Sequence, residues 1–555
     1  MCTIMAINSL DTIKEQLFEF LKSQFQCDDL ALSRVELLLN MDDQKQQFGD
    51  LSTNAAMILA KTLRQSPPVI AKQILDGFAH PLITKIELAG PGFINIFLSP
   101  VAYQQLLHEL AHQKINFFKP NSLQKQHYSL EYVSANPTGP LHFGHGRGGI
   151  IGDVLGNILE FQGHQVNREY YINDAGGQMQ NLGLSLKARC QEQLGQSFEI
   201  PENGYRGEYM IEVAQECLAE HGAQALSKPD HFFARYAEVK LLKRIRQTLD
   251  DYGIQFDVWF SERSLHESGA IDRAIAQLTE HGYTYEQEQA LWFRSTQFGD
   301  DKDRVIRKSN GELTYAAADI AYMLSKVERG ANHLVLMLGQ DHHSYAVRLE
   351  GLRQALGLNQ TKLDVILYQL VSLNISGEAL KMSKRAGRFV TLQDIIDEAG
   401  KDVARFFFLN RKADSHLDFD VELALKKTEE NPVFYLQYAY VRIKGILRKA
   451  SEFTELQEIT ANDSQAVGID EYLMIKKIIY LKELMQNLSQ TQQVHQLSYY
   501  ALELARLFHA YYSNCKVLDL NHVAQSRMRL LLLAQLEQTL ELVLTLLGLE
   551  CPDKM

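Results

Sequence analysis

The stretch Glu131-Tyr-Val-Ser-Ala-Asn-Pro-Thr-Gly-Pro-Leu-His-Phe-Gly-His-Gly-Arg-Gly-Gly149 decides the fold of this 555-residue chain. A β-type run over residues 128–133 leads into its prolines and glycines, and an apolar helix pattern follows from about residue 146 to 163. A strand, a glycine-rich turn and a helix are typical of nucleotide sites. The free N–H groups and the positive dipole end of such a helix favour phosphate binding.

Two interpretations of this turn compete. In the first, Gly144, Gly146 and Gly149 match the G-x-G-x-x-G pattern of dinucleotide-binding proteins, and Glu169 follows at the distance expected for a ribose contact. Glycines match such patterns easily, so the signal is weak. This interpretation predicts a dinucleotide-dependent oxidoreductase.

In the second interpretation the histidines are the functional groups. His142 and His145 stand just before the helix and can both donate hydrogen bonds to phosphoryl oxygens. Gly144 between them lets a nucleotide approach the backbone. If residues 142–145 are considered alone, the alternative is that both histidines are ordinary surface residues without a function.

A second stretch, Glu378-Ala-Leu-Lys-Met-Ser-Lys-Arg-Ala-Gly-Arg388, favours the second interpretation. Lys381 and Lys384 on such a basic loop would neutralise the charge that develops on a leaving pyrophosphate. Taken together, the two stretches predict a triphosphate held from two sides, for which a dehydrogenase has no use.

Both stretches resemble the two signatures of class I aminoacyl-tRNA synthetases, with Arg385 at the position where the class pattern has serine. The segments 134–142 and 169–176 resemble arginyl-tRNA synthetases in particular. The resemblance implies ATP with Mg²⁺, L-arginine and tRNA(Arg) as the molecules bound. It implies catalytic roles for His142, His145, Lys381 and Lys384. It implies ATP contacts from His142, Gly144, His145, Gly339, Met382, Ser383 and Lys384. A tRNA-binding relative without catalytic activity is the alternative within this class.

An arginine pocket needs a carboxylate placed for paired N–H bonds, because a simple cation site would also accept lysine. Asp319 is the first candidate, with Tyr315 one turn before it on the same helix face. The resemblance implies the same two roles and adds Glu131 and Asn136. Gln340 is a further candidate from a polar loop, in which the sequence leaves open whether Gln340, Asp341 or His342 points inward. No resident metal site is predicted there, because neighbouring residues rarely converge on one ion.

The alternation of strands and helices predicts a multidomain α/β protein. We expect a small α+β domain over residues 1–115 and a Rossmann-like parallel-sheet catalytic domain over 120–415, with a helical insertion at about 175–290. An α-helix bundle is expected over 416–555. The resemblance implies that the first domain contacts tRNA and that the bundle binds the anticodon.

In the predicted bundle, Tyr435, Tyr438 and Arg442 recur on one helix face. They are either core residues or a stacking surface for unpaired nucleotides. The resemblance adds Met555 as a residue that docks on this surface.

The formal net charge of −12 argues against general affinity for nucleic acid, so a tRNA must meet local basic patches. The six cysteines form no C-x-x-C pair, which argues against a structural zinc site or a disulfide framework. No signal peptide or membrane-spanning run is recognised, and the scattered cysteines fit the reducing cytoplasm, so we expect a cytoplasmic protein. We also expect a monomer.

Overall fold

The computed structural model describes residues 8–41, 48–121, 123–375, 378–380, 391–458, 463 and 467–555, with side chains omitted at 375 and 378–380. The described chain has three parts: an N-terminal α+β unit, a parallel-sheet unit and a C-terminal group of long helices. This arrangement confirms the predicted fold class.

The N-terminal unit is an antiparallel sheet with strand order β1-β2-β4-β3, covered by helices. Its first helix begins with a reciprocal cap, in which Asn8 accepts from the backbone N–H of Asp11 at 2.9 Å. The elements are α1 (Ser9–Phe25), α2 (Asp29–Leu32), β1 (Leu37–Leu39), β2 (Leu51–Thr53), α3 (Ala55–Leu63), α4 (Pro67–Gly77), β3 (Ile83–Ala89), β4 (Phe93–Leu98) and α5 (Pro100–Gln113).

Asp50 stands before β2, where the sequence pattern predicts a helix over residues 51–61 with Asp50 available as a cap. The helix α3 is present but begins only at Ala55, after the short strand β2. The Asp50 carboxylate accepts from the backbone N–H of Leu98 at 2.8 Å and from the Tyr103 hydroxyl at 2.5 Å. Lys476 of the C-terminal helices approaches the same carboxylate at 3.5 Å. Asp50 therefore joins the first part of the chain to the last.

The second part is built on a parallel sheet with strand order β12-β11-β5-β6-β7. The chain proceeds from β5 to one side and later returns on the other, so the carboxyl ends of β5 and β11 border a natural ligand crevice. Its elements are β5 (His127–Glu131), α6 (Phe143–Phe161), β6 (Gln165–Ile172), α7 (Gly177–Gln193), α8 (Glu208–His221), α9 (Asp230–Asp251), β7 (Val258–Ser261), α10 (Glu262–Glu267), α11 (Ala270–Glu280), β8 (Thr284–Gln287), β9 (Ala290–Phe293), β10 (Arg304–Arg307), α12 (Tyr315–Glu328), β11 (His333–Gly339), α13 (His343–Ala355), β12 (Lys362–Tyr368), β13 (Val371–Ile375), β14 (Glu378–Leu380), α14 (Leu392–Ala399), α15 (Lys401–Leu409), β15 (Leu417–Asp420) and α16 (Val421–Leu425).

The region expected as one helical insertion has two components. Helices α7, α8 and α9 pack around their own apolar core, which includes Leu182, Leu186 and Phe233. Strand β7 then pairs with β6 and so belongs to the main sheet. A small antiparallel sheet, β10-β9-β8, follows before α12.

Two fully buried arginines connect separate parts of the molecule. Arg147 on α6 donates to the carbonyl oxygens of Gln369, Ser415 and Lys412 at 2.8–2.9 Å. Burial lowers the pKa of Arg147 to about 10. These bonds fix α6 against the segments that enter β13 and β15.

Arg405 on α15 is the second. It pairs with Asp153 of α6 at 2.5 Å and donates to the carbonyl oxygens of Tyr252 and Leu547 at 2.8 and 3.0 Å. The guanidinium lies so close to Gly548 that a Cβ there would be 2.2 Å from its Nη2 atom. The end of the last helix is thus bonded to the parallel-sheet unit.

The third part is a helix bundle of α17 (Pro432–Ala450), α18 (Ile469–Thr491), α19 (His495–Asn514) and α20 (Val523–Leu547). Among the described residues, α20 is the helix long and apolar enough to cross a membrane by length and composition. In the structure, 67% of its most apolar window is buried inside the protein, as in the core helix of a bundle.

Candidate active site

A cavity of about 620 Å³ opens at the carboxyl ends of β5 and β11, where the sheet topology places a ligand crevice. It is lined on one side by the start of α6 and on the other by α10, α12 and α13. Most of the described residues predicted for the site line it: Glu131, Asn136, His142, Gly144, His145, Tyr315, Asp319 and Gly339.

The histidine end of the cavity is organised by the backbone of its own turn. Nδ1 of His142 accepts from the backbone N–H of Gly144 at 3.1 Å, and Nδ1 of His145 accepts from the backbone N–H of His142 at 3.0 Å. These bonds form a capping box at the start of α6. Because each Nδ1 accepts, the proton of each neutral ring is on Nε2. Both histidines are therefore fixed as hydrogen-bond donors.

The histidines are neutral at physiological pH. Burial lowers the pKa of His145 to about 4, with a further decrease from the neighbouring His142. Burial also lowers the pKa of His142 below its usual range. A phosphate at this end would meet two neutral donors and the N-terminus of α6, and no imidazolium charge.

The opposite end of the cavity carries carboxylates. Enclosure of Asp319 raises its pKa to about 7, against the opposing effects of a hydrogen bond from Tyr345 and of the positive charge of Arg348. Glu262, the buried first residue of α10, also has a raised pKa, chiefly because of burial. Tyr171 interacts with Glu262. Such desolvated carboxylates are costly and favour a cationic ligand.

Tyr315 and Asp319 lie one turn apart on α12, as the sequence predicts. The Tyr315 side chain is 63% exposed and stands at the mouth of the cavity, above the carboxylates.

Glu131 reaches the cavity as one half of an ion pair. Its Oε2 atom lies 2.5 Å from Nζ of the buried Lys326, and its Oε1 atom accepts from the Ser134 hydroxyl at 3.1 Å. Lys326 also lies over the ring of Tyr322, at 4.2 Å from the centroid. Glu131 is thus held in place by the wall of the cavity.

The structure shows which polar residues of the loop after β11 face the cavity. Gln340 lines a neighbouring cavity between β12 and the junction of α18 and α19, whereas Asp341 and His342 line the main cavity. The structure therefore does not bring Gln340 together with Asp319. Asn136 is exposed at the rim.

Several cavity residues were not selected from the sequence, among them Asn173, Glu262, Tyr345 and Arg348. Within the described chain, the buried Oδ1 atom of Asn173 has no hydrogen-bond partner, as expected for a group that meets a ligand. Asn173 and Glu262 each directly follow a strand of the parallel sheet. Their position directly after a strand is the sequence signal that could have identified them, because residues that follow parallel strands lie together at one edge of the sheet.

Three family models match consecutive parts of the chain. Residues 11–98 match the arginyl tRNA synthetase N terminal domain, 105–422 the catalytic domain of tRNA synthetases class I (R), and 436–555 the DALR anticodon binding domain. The chain is 40% identical to arginine–tRNA ligase 1 of Halalkalibacterium halodurans over 99% of this chain and 100% of that protein. It is 43% identical to the arginine–tRNA ligase of Desulfosudis oleivorans over 91% and 93% of the two chains.

The chain belongs to the arginyl-tRNA synthetase family. The fold agrees: the Thermus thermophilus arginyl-tRNA synthetase superposes with a TM-score of 0.74 at 20% identity, covering 98% of this chain and 99% of that one. The boundaries predicted for the three domains and the roles predicted for individual residues stay predictions.

The second signature of this synthetase lies outside the described residues, so Lys381, Met382, Ser383 and Lys384 have no described position. The chain is described again from Thr391, which forms a β-bridge with His142. The backbone N–H of Leu392 donates to the carbonyl oxygen of Leu141 at 2.9 Å. The residue that follows the signature segment is therefore fixed beside the histidine turn.

The glycines that suggested a dinucleotide site have packing roles in the synthetase. A Cβ on Gly146 would lie 2.5 Å from Leu392, and one on Gly149 would lie 3.1 Å from Ile254 and from Val133. These glycines let α6 approach its neighbours. With the family established, the oxidoreductase interpretation is wrong.

The bundle carries an aromatic platform made of Tyr435, Tyr438, Arg442, His509 and Tyr512. The ring of His509 lies 4.6 Å from that of Tyr435 and 5.9 Å from that of Tyr438, measured between centroids. The guanidinium of Arg442 lies 4.3 Å above the ring of Tyr438 and 5.0 Å above that of Tyr512. His509 and Tyr512 were not foreseen from sequence, because they come from α19.

Met555 is 56% exposed at the end of the tail that follows α20. This tail lies against α17 through an ion pair between Asp553 and Lys444, at 2.5 Å. In the described chain, no group of three or more His, Cys, Asp or Glu side chains is placed to hold a metal ion.

Proposed function

We propose that this chain activates L-arginine with ATP and transfers the arginyl group to tRNA(Arg). One observation carries the proposal: a single cavity has neutral imidazole donors at a helix N-terminus at one end and desolvated carboxylates at the other. The first end suits a phosphate, and the second suits a guanidinium.

Selection of arginine rests on Asp319 and Glu262. A guanidinium is planar and always charged, and its paired N–H groups match a carboxylate. Its charge would offset the desolvation that raises the pKa of both carboxyl groups. Tyr345 bonds Asp319 at this end, and Tyr315 stands at the mouth of the cavity. A lysine ammonium would meet the same charge without paired hydrogen bonds.

In the first step, a carboxylate oxygen of arginine attacks the α-phosphorus of MgATP. A new P–O bond forms, the bond to the β-phosphate bridging oxygen breaks, and pyrophosphate leaves. His142 and His145 donate hydrogen bonds to phosphoryl oxygens, and Lys381 and Lys384 neutralise the leaving pyrophosphate. The backbone contacts of Thr391 and Leu392 beside the histidine turn support this arrangement, because Thr391 follows Lys384 by only seven residues in the sequence.

In the second step, a hydroxyl of the terminal ribose of tRNA attacks the arginyl carbonyl carbon, and AMP leaves with its electron pair. The protein performs little covalent chemistry, so its contribution is positioning and stabilisation of charge.

The tRNA would be held at two remote surfaces. The aromatic platform of the bundle offers stacking faces and the charge of Arg442, which suit unpaired nucleotides. The N-terminal unit exposes Phe93, 41% accessible, at a hairpin tip, where it could stack on a base. The cytoplasmic location and the monomeric state stay predictions, and light scattering on the purified protein would test the latter.

ATP–pyrophosphate exchange with each common amino acid, with and without tRNA, tests the activity. With tRNA present, exchange is expected with arginine and with no other common amino acid. Lys384→Ala should depress it by ~10³-fold while the circular dichroism spectrum is unchanged. Lys362→Ala, at the opposite end of β12, is the matched control. Equal rates in the two variants would remove Lys384 from the reaction. Absence of exchange in the unmodified protein, even with tRNA, would favour the catalytically inactive relative.

The platform is tested by Tyr438→Ala, for which we expect the KM for tRNA to rise by ~10-fold, the effect of one lost stacking face. The KM for arginine should stay the same. Tyr285→Ala, a half-buried tyrosine of the small antiparallel sheet, is the control.

A further inference from the structure

Strands β6 and β7 are parallel neighbours that end at the same edge of the sheet, with Ile172 paired to Ser261. The first residue after each of the two strands, Asn173 and Glu262, lines the active-site cavity. The second residue after each strand, Asp174 and Arg263, lines another cavity of about 710 Å³ on the side of the helical insertion. After each strand, the first residue therefore lines the active-site cavity and the second lines the neighbouring cavity.

Asp174 is 4% exposed and bonds to both neighbours of Glu262. Its Oδ2 atom accepts from the Ser261 hydroxyl at 2.5 Å, and its Oδ1 atom accepts from the backbone N–H of Arg263 at 2.9 Å. Ser261 occupies the N-cap position of α10 but makes no capping bond with its own side chain. Asp174 supplies the cap from the neighbouring strand, so the first turn of α10 is fixed to the end of β6.

The helical insertion strengthens this junction. Nη2 of Arg263 donates to the carbonyl oxygen of Asp174 and to Oε2 of Glu238, both at 2.8 Å. Glu238 is buried on α9 and also accepts from Arg235 at 2.6 Å. The residues on both sides of Glu262 are therefore bonded to Asp174, and Arg263 is also bonded to α9.

Glu262 needs such support, because a carboxylate taken out of water gains by turning back to solvent. Asp174 cannot compensate the charge of Glu262, since it is itself an acid and raises the pKa of Glu262 further. Its contribution must be geometric: it prevents the first turn of α10 from rotating the carboxylate away from the ligand.

We propose that Asp174 is a positioning residue for arginine selection, which caps α10 and bonds Ser261 so that Glu262 faces the guanidinium. The proposal rests on the proposed function. It assigns to the segment after β6 a role in substrate discrimination, although Asp174 itself contacts no substrate. Paired bonds to a guanidinium tolerate little displacement, so loss of the cap should affect arginine far more than ATP.

The test compares Asp174→Ala with Asp420→Ala in the intact protein, because asparagine would keep an oxygen that accepts the N–H of Arg263. Asp420, the last residue of β15, is the N-cap of α16 and accepts from the backbone N–H of Leu423 at 3.0 Å with its own side chain. Pyrophosphate exchange in the presence of tRNA gives kcat and the KM for arginine and ATP, and citrulline, with a neutral urea in place of the guanidinium, is titrated as inhibitor. For Asp174→Ala we expect the KM for arginine to rise ~10-fold, an unchanged KM for ATP, and a weaker preference for arginine over citrulline.

Ser261→Ala removes one of the two bonds and should shift the same quantities in the same direction by a smaller factor. It decides the matter if Asp174→Ala is insoluble. A lower kcat with unchanged KM for arginine and unchanged preference over citrulline would leave Asp174 a purely structural role and overturn the proposal. Equal behaviour of Asp174→Ala and Asp420→Ala would do the same. Failure of the unmodified protein to exchange with arginine, even with tRNA present, would instead refute the proposed function, and this inference with it.

Discussion

The two ends of the active-site cavity are built in different ways. At the histidine end, the bonds that orient His142 and His145 all lie within one turn of chain. At the carboxylate end, Glu262, Asp319 and Tyr345 come from three separate helices. The hydrogen bonds that orient the histidines need only the start of α6, whereas the carboxylate end requires three helices to pack together.

This difference separates the two functions. A rigid, locally determined donor pair suits a phosphate common to all ATP-dependent reactions, and an assembled pocket suits the recognition of one particular side chain. Mutations at the histidine end should therefore mainly lower kcat, and mutations at the carboxylate end should mainly raise the KM for arginine.

The largest effect is expected for Asp319→Asn. The substitution removes a carboxylate that a buried guanidinium requires, a loss of about 3–5 kcal/mol, so the KM for arginine should rise by ~10³-fold. The KM for ATP should stay within about twofold. Asp272→Asn, which breaks a surface ion pair with Arg307, is the control and should behave as the unmodified protein. A large change in the KM for ATP would contradict the separation of the two ends.

His145→Ala should lower kcat of pyrophosphate exchange by ~10²-fold, because one preorganised donor to the phosphoryl group is lost. The KM for arginine should change little. His416→Ala, an exposed histidine beside Asp418, serves as control. If arginine affinity fell as strongly as kcat, the histidine turn would have to support the whole pocket.

The pH dependence of the two ends should also differ. With a pKa of about 7, Asp319 is increasingly protonated as the pH falls from 8 to 6, so the KM for arginine should rise by up to ~10-fold per pH unit below 7. His145, with a pKa of about 4, is neutral throughout this range. Measurements of KM between pH 6 and 8.5 test this, and Asp319→Asn should abolish the slope.

The same shift predicts an effect on stability. The pKa of Asp319 is about 7 in the folded protein and about 4 in the unfolded chain, so stability falls as the pH rises between these two values and stays lower above them. Asp319→Asn should therefore raise the melting temperature at pH 8. The gain should disappear at about pH 4, where the folded-state carboxyl group is protonated. A loss of stability at pH 8 would contradict the assigned enclosure of Asp319.

The smallest effect is expected for Tyr345→Phe, which removes the hydroxyl that bonds Asp319 and retains the ring. One hydrogen bond to a charged group contributes about 1.5 kcal/mol, so the KM for arginine should rise by roughly 10-fold at most. The pKa of Asp319 should rise, which moves the pH profile of KM to higher pH. An unchanged profile would exclude this bond.

The difference between the locally built histidine end and the assembled carboxylate end also explains which features could be predicted from the sequence. The parallel sheet, the helix after the histidine turn and the pair Tyr315 and Asp319 follow from local patterns, because strand and helix periodicity and one-turn spacing are short-range properties. Glu262 and Tyr345 could not be found in this way, since their approach to Asp319 depends on how α10, α12 and α13 pack. His509 joins Tyr435 and Tyr438 for the same reason, across two helices of the bundle.

Prediction failed where short-range signals were ambiguous. The segment from Leu51 contains residues that suit either a helix start or a strand, and its pairing with β4 decides for the strand. Gln340, Asp341 and His342 are all polar, and only the short helical turn after β11 determines that the last two face the cavity.

The contact between Arg405 and the end of α20 limits how far the three parts can be treated as separable modules. The Nε–H of the guanidinium donates to the carbonyl oxygen of Leu547, and the group tolerates no side chain at position 548. A chimera that exchanged the C-terminal helices for those of a relative would have to supply both a carbonyl oxygen and a glycine at this junction. Without the carbonyl oxygen, one buried donor of Arg405 would lose its acceptor inside the nucleotide-binding unit, although the pair with Asp153 would remain.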